Sequence, residues 1–594
     1  RMPITGRRGG PAAGELRFAP GGLSLPPMIS PLLPLTPADL VDATWDDIRP
    51  RYAELVDRPL DRTSVESWLA DWSRLDEVLG EAAALAMIAY TCDTTDPAKE
   101  KAHLRFSAEI LPETEEYEVM LADRLLALGY TRPGLEVTIA RFRTSSEIFR
   151  EANVPLTKAA EELGTAYQKR TGGLTVMWDG QEKTLPELQP MLQSPDRAVR
   201  ERAFRMQCGA YAAHQPELAG LFDSLYDLRI RMAKNAGFDN YEAYAFKAKC
   251  RFDYTPSDCR RFHAAVEEVV APAVERLMTR RRARMGVDRL RPWDVGPDPE
   301  GREALRPFSD VDELIGTSRR VIEHVAAPFG QQFQTMMDEG MLDLDVRKGK
   351  APGGYCETLQ FRGRPFIFMN AVGVLDDVST LLHEAGHAFH AFESHAQPLV
   401  WQRHPGLEMC ELASMSMELL ASPYLGKQTG GFFTPPDLAR AWADQLEDVL
   451  VTLSHVASVD AFQSWIYTSG AGRDAAARDQ AWLALRSRFE RGVDWSGLER
   501  ERVTRWYRQL HIFLYPFYYI EYGLAQIGAL QVWRNSRKDH PEAVRRYREA
   551  LALGNTRSLP ELYRTAGVEF TTDVRVIGEL VTLVEEELDR ITTG

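Results

Sequence analysis

The sequence predicts a mainly α-helical protein with one small β-sheet beside a metal-binding helix. Three observations predict it. Apolar residues recur at helical spacing through most of the 594 residues, a short alternating segment lies at 352–369, and His383-Glu384-Ala385-Gly386-His387 follows closely.

The helical reading begins at Thr36, where Val65, Trp68, Trp72, Leu75 and Leu79 share one face of a long pattern. Helical patterns continue over 133–170, 195–249 and 256–285, and from the metal motif to the C-terminus. Two stretches break the period. Residues 174–178 and 181–185 flank Asp179-Gly180, a turn pair that predicts a hairpin. Residues 352–361 alternate like a strand, Arg362-Gly363 turns the chain, and 365–369 forms the partner.

The net charge of -15 disfavours nucleic acid and anionic lipid as partners. No apolar run approaches the roughly 20 residues that span a bilayer, so no membrane association is expected. The six cysteines lack any dense spacing and predict free thiols. Residues 1–30 are rich in Gly, Pro and Arg without a secretory apolar core, which predicts a flexible or vector-derived tail and a cytoplasmic setting. An N-terminal helical lobe with the hairpin is expected over 31–200 and a zinc-binding domain over 201–594. The basic run 280–284 reads as a solvated helix face, with a substrate-carboxylate contact as the alternative.

His383 and His387 stand four residues apart in a proline-free segment, so both imidazoles project from one helix face and can share one ion. Leu381, Ala385, Ala388 and Phe392 are expected to bury the opposite stripe. Glu384 lies one residue round from His383, within reach of a water at the metal. Glu411, separated from His387 by 23 intervening residues, offers a third donor, and two imidazoles with one carboxylate leave a tetrahedral zinc site open to water. Glu408, one helical turn earlier, competes for that role. An HxxGxxH extension would need glycine and histidine where the chain has His390 and Glu393.

Downstream, four tyrosines and a histidine fall within the twelve residues from His511 to Tyr522. Pro516 is expected in a first helical turn, with Tyr519 and Tyr522 three residues apart on one face and Tyr518 four residues before Tyr522. A phenol there could donate to an oxyanion.

Together, residues 365–367, 382–388, Glu411 with Ser414 and Glu418, and 511–522 resemble the thimet oligopeptidase and oligoendopeptidase F family of zinc metallopeptidases. Residues 290–294, 347–355 and 516–522 are most similar to its Pz-peptidase-like bacterial branch. The resemblance implies a two-lobed helical body enclosing a deep substrate channel, with the small sheet on one wall. It implies one Zn2+ per chain held by His383, His387 and Glu411, and Glu384 as catalytic base. His511, Tyr519 and Tyr522 would line the substrate side, with Tyr515 and Tyr518 as rivals for the oxyanion. An extended peptide could add to the strand edge at Gly353-Gly354-Tyr355, and Glu418, seven residues beyond Glu411, could orient a ligand imidazole. The expected activity is cleavage of internal bonds in short unstructured oligopeptides, with no obligate protein partner. The alternatives are a peptidyl dipeptidase releasing C-terminal dipeptides and an inert peptide-binding protein.

Overall fold

A computed structural model describes residues 35–593, so the tail expected over 1–30 lies outside the described residues. The fold is mainly helical, with two small sheets. In the long helix Val65–Cys92 the predicted face is buried, Val65, Trp68 and Trp72 completely. Each large apolar side chain so buried contributes about 1.5–3 kcal/mol. One buried cluster draws on residues 35–139 and on Leu399; a larger one runs from Tyr167 to Leu588. Tyr167, within the span expected for the first lobe, stacks on Phe513 at 4.0 Å and belongs to the larger core.

The hairpin pairs β1 (Thr175–Trp178) with β2 (Gln181–Thr184) around Asp179-Gly180, both at positive φ. The second sheet has a strand beyond the predicted pair. β3 (Leu342–Asp345) lies parallel to β5 (Arg364–Ala371), and β4 (Tyr355–Leu359) pairs antiparallel on its other side as an outer strand. Gly353 and Gly354, expected in the strand, precede it. Gly353 has φ +100, outside the extended region, so ladder pairing begins only at Tyr355.

From β5 the chain turns directly into the helix Leu375–Ser394. The Asp377 carboxylate fixes that turn by accepting the backbone N–H groups of Val372, Gly373 and Val374 at 2.8–2.9 Å. Leu381, Ala385 and Ala388 are buried as expected, but Phe389 fills the next core position and stacks on Phe329 at 4.5 Å. Phe392 is only partly buried, beneath Arg364. The run 280–284 is ion-paired: Arg280 to Asp589, Arg281 to Glu447 and Arg284 to Glu300. Among the described residues, no helix is long and apolar enough to cross a membrane.

The helix Leu375–Ser394 crosses the helix Leu407–Ala421 at Gly386. A methyl group there would stand 2.5 Å from Ser414 Cα and 2.7 Å from the Ala413 carbonyl oxygen. Both obstacles are backbone and cannot swing aside. Gly386→Ala is expected to cost about 1–3 kcal/mol through forced separation of the helices. Thermal unfolding alongside bound-metal analysis should show a lower Tm and weakened metal retention together.

Candidate metal centre

Helical spacing carries His383 and His387 onto the same face, and the Gly386 crossing brings the Leu407–Ala421 helix under them. His383 Nε2 lies 3.4 Å and His387 Nε2 3.9 Å from Glu411 Oε2. Ligands at about 2.0–2.1 Å from a tetrahedral ion stand about 3.3–3.4 Å from one another. The three donor atoms, all within 4.8 Å of each other, therefore fit a zinc ion. Glu408, the rival donor, turns the other way: it accepts from the Tyr254 hydroxyl and faces Arg251 at 4.0 Å. Ser414 Oγ donates to Glu411 Oε2 at 3.2 Å and steadies that carboxylate.

Glu418 Oε1 sits 2.7 Å from His383 Nδ1. That contact keeps a proton on Nδ1, so that Nε2, which donates to Glu411 while the ring is charged, is the nitrogen left to ligate once the ring is neutral. Burial opposes the charge on Glu411, yet the hydrogen bond from His383 and the adjacent imidazoles hold it down at about 2. Glu384 is different. Burial pushes its carboxyl up to about 7, and the backbone N–H of Cys356 in β4 faces it. Burial, helped by the neighbouring His383 and opposed by Glu411, lowers His387 to about 4, which leaves its imidazole neutral and able to ligate. His390 is buried, and its Nε2 has no hydrogen-bond partner.

The tyrosine segment departs from one expectation. Pro516 lies outside any helix, between the helices Leu510–Leu514 and Tyr519–Ser536. Phe517 adopts a φ of +63, so the chain kinks where a first helical turn was predicted. As a result the tyrosines diverge. Tyr518 donates to Glu411 Oε1 at 3.0 Å, whereas Tyr519 donates to Gln509 at 2.8 Å. Tyr522 packs against Tyr518 at 5.0 Å between ring centres, and Tyr515 is half exposed. The His511 ring lies 5.0–6.0 Å from all four. Burial and the charge of Glu411 hold the Tyr518 and Tyr522 phenols well above their ordinary value of 10.0, so each keeps its proton to donate.

Sequence reasoning overlooked Gly386 as a contact point and Gln509 as a phenol acceptor. A glycine inside a helical pattern is a signal for the first; nothing local marks the second.

The sequence pattern described as Peptidase family M3 matches residues 190–580, and that of the Peptidase M3 N-terminal domain matches 38–142. The chain is 21% identical over 433 residues to an oligoendopeptidase F homolog of Lactococcus lactis. It is 22% identical over 399 residues to the group B oligopeptidase of Streptococcus agalactiae. These alignments cover 71% and 64% of this chain but 66% and 62% of those proteins, just under two thirds of their length. Among solved structures, Pz peptidase A with an inhibitor superimposes with TM-score 0.84 and 28% identity over 92% of this chain and 98% of that one. Oligoendopeptidase F from Enterococcus faecium, at TM-score 0.61 and 16% identity over 92% and 97% of the two chains, shares the fold.

Replacing Glu418 with alanine frees the His383 ring to rotate and is expected to weaken zinc binding about 10- to 100-fold. Titration against a competing chelator measures it.

Proposed function

The chain belongs to peptidase family M3, and on that premise we propose that it is a zinc-dependent endopeptidase acting on internal bonds of short, unstructured oligopeptides. The observation that carries this reading is the convergence of a His-His-Glu donor set with an adjacent carboxylate and a phenol, Tyr518, hydrogen-bonded to the third donor. His383, His387 and Glu411 would hold the ion. When bound, zinc supplies Lewis acidity toward a water and a substrate carbonyl.

The chain's own groups do the rest. Glu384 takes the proton of the attacking water and returns it to the leaving nitrogen; a carboxyl raised to about 7 by burial is matched to both transfers near neutral pH. Tyr518 and Tyr522 keep their protons and face Glu411, which favours them over Tyr519 and Tyr515 as donors to the oxyanion. His511 packs on both rings and limits their swing. The outer edge of β4 starts beside Glu384 and, among the described residues, has no strand partner beyond β5, which supports alignment of an extended peptide by main-chain hydrogen bonds. Recognition of that kind reads backbone and tolerates varied side chains. Gly353 and Gly354 would border this edge. A deep channel between helical lobes, as in the family resemblance, would restrict entry to unfolded chain.

Glu384→Gln is expected to keep one zinc per chain while kcat falls about 100- to 10,000-fold. Metal analysis and a quenched fluorescent peptide with an amidated C-terminus test this; zinc-loaded Glu384→Gln with unchanged turnover would falsify the mechanism. Internal cuts in the amidated peptide support the endopeptidase, whereas release of C-terminal dipeptides alone identifies a peptidyl dipeptidase.

A pH profile of kcat/KM gives a second check. Glu384 is a base only when ionised, burial raises its pKa to about 7, and a bound cation draws it down. Activity should therefore fall with decreasing pH along a limb between about 4.3 and 7. Whatever activity remains in Glu384→Gln should lack that limb.

A further inference from the structure

Among the described residues, three that are not glycine have positive φ: Asp179, Cys250 and Phe517. Asp179 belongs to the hairpin turn, where that conformation is ordinary. The other two are more than 260 residues apart in sequence, at 250 and 517, yet one guanidinium joins them. Arg251, adjacent to Cys250, donates through Nη2 to the Phe517 carbonyl oxygen and, at 2.7 Å, to Glu521 Oε1.

The surroundings exclude a casual surface contact. The Arg251 side chain is 1% exposed, its guanidinium lies 4.4 Å over the Phe246 ring, and its Nε is 4.0 Å from Glu408 on the Glu411 helix. Other buried groups grip the same kink. Gln463 Oε1 accepts the Phe517 N–H, and Arg229 donates to the carbonyl oxygens of Ile512 and Phe513. Phe517 itself is fully buried against Tyr467 and Phe246. A bulky residue pays strain to sit at positive φ, and such strain persists where surrounding contacts over-determine it. Here the kink ends at Tyr518, and it turns that phenol onto Glu411 while Tyr519 points to Gln509.

We infer that Arg251 is a positioning residue for Tyr518, tying the left-handed kink at Phe517 to the helix that carries Glu411 and so fixing the phenol over the metal position. The inference rests on the proposed role of Tyr518 as an oxyanion donor. Arg251 touches neither substrate nor ion; it acts through the tyrosine. Lysine at 251 would keep a charge beside Glu521 and Glu408, but its shorter stem and compact ammonium would not reproduce the position of Nη2, from which both the Phe517 carbonyl and Glu521 are reached.

The test uses the full zinc-loaded chain. Arg251→Lys is expected to keep its zinc and its KM while kcat falls about 10- to 100-fold, the scale of a misplacement near 1 Å. Affinity for a phosphinic peptide, which mimics the tetrahedral state, should fall in step. In a Tyr518→Phe background the same substitution should cost nothing further, because the group it positions is gone. A loss that multiplies in the double variant, or full kcat in Arg251→Lys, overturns the inference. Full kcat in Tyr518→Phe alone overturns the reading of the phenol itself, and the two failures are thus distinguishable. Should Arg251→Lys not fold, Gln463→Leu removes a second tether on the same kink, and it must show the same loss and the same absorption by Tyr518→Phe.

Discussion

The close crossing of two helices at Gly386 is the constraint on which the rest of the site depends. Helical spacing places His383 and His387 side by side, but a third donor must come from another element and approach within a ligand's span. A hydrogen atom at Gly386 lets the backbone at Ala413 and Ser414 come into contact, and Glu411 then rises between the imidazoles. Behind the Glu411 helix a second glycine makes room for side chains instead of backbone. At Gly528 in the helix Tyr519–Ser536, a methyl group would stand 2.5 Å from Leu412 Cδ1. The first two helices therefore meet at backbone distance and cannot shift independently there, while the third packs on them through side chains.

Charge explains why such packing is tolerated. Glu384, Glu411 and Glu418 converge on two imidazoles in a largely buried setting, an arrangement that favours added positive charge. Within it the carboxylates are differentiated by their partners. Glu411 is held ionised by two imidazoles, Glu418 is engaged with His383 Nδ1, and Glu384 carries a proton affinity raised by burial. Three chemically identical side chains thus suit a ligand, an orienting group and a base.

The tyrosine segment shows the same principle. A continuous helix would have carried Tyr518, Tyr519 and Tyr522 around one cylinder, about 100° apart per residue. The kink at Phe517 instead ends one helix and restarts another, with Tyr518 at the junction. Buried hydrogen bonds donated by Arg229 and Arg251 and accepted by Gln463 satisfy the backbone groups that the break leaves without helical partners.

The sequence by itself determined the helical class, the hairpin, the strand pair before the metal motif, and the residue types of the donor set. Each is a short-range property: periods of two and 3.6 residues, a turn pair, and a four-residue spacing are written within a few residues of one another. Only the tertiary structure decided between Glu408 and Glu411, because both lie near the start of one helix and the choice follows from Tyr254 and Arg251 on one side and the imidazoles on the other. It also separated Tyr518 from Tyr519, since the direction of each phenol follows from a left-handed residue held by groups as distant in sequence as Arg251 and Gln463. The third strand, β3, escaped for the same reason: four residues paired in parallel with a distant strand carry too little local pattern to be read before their partner is known.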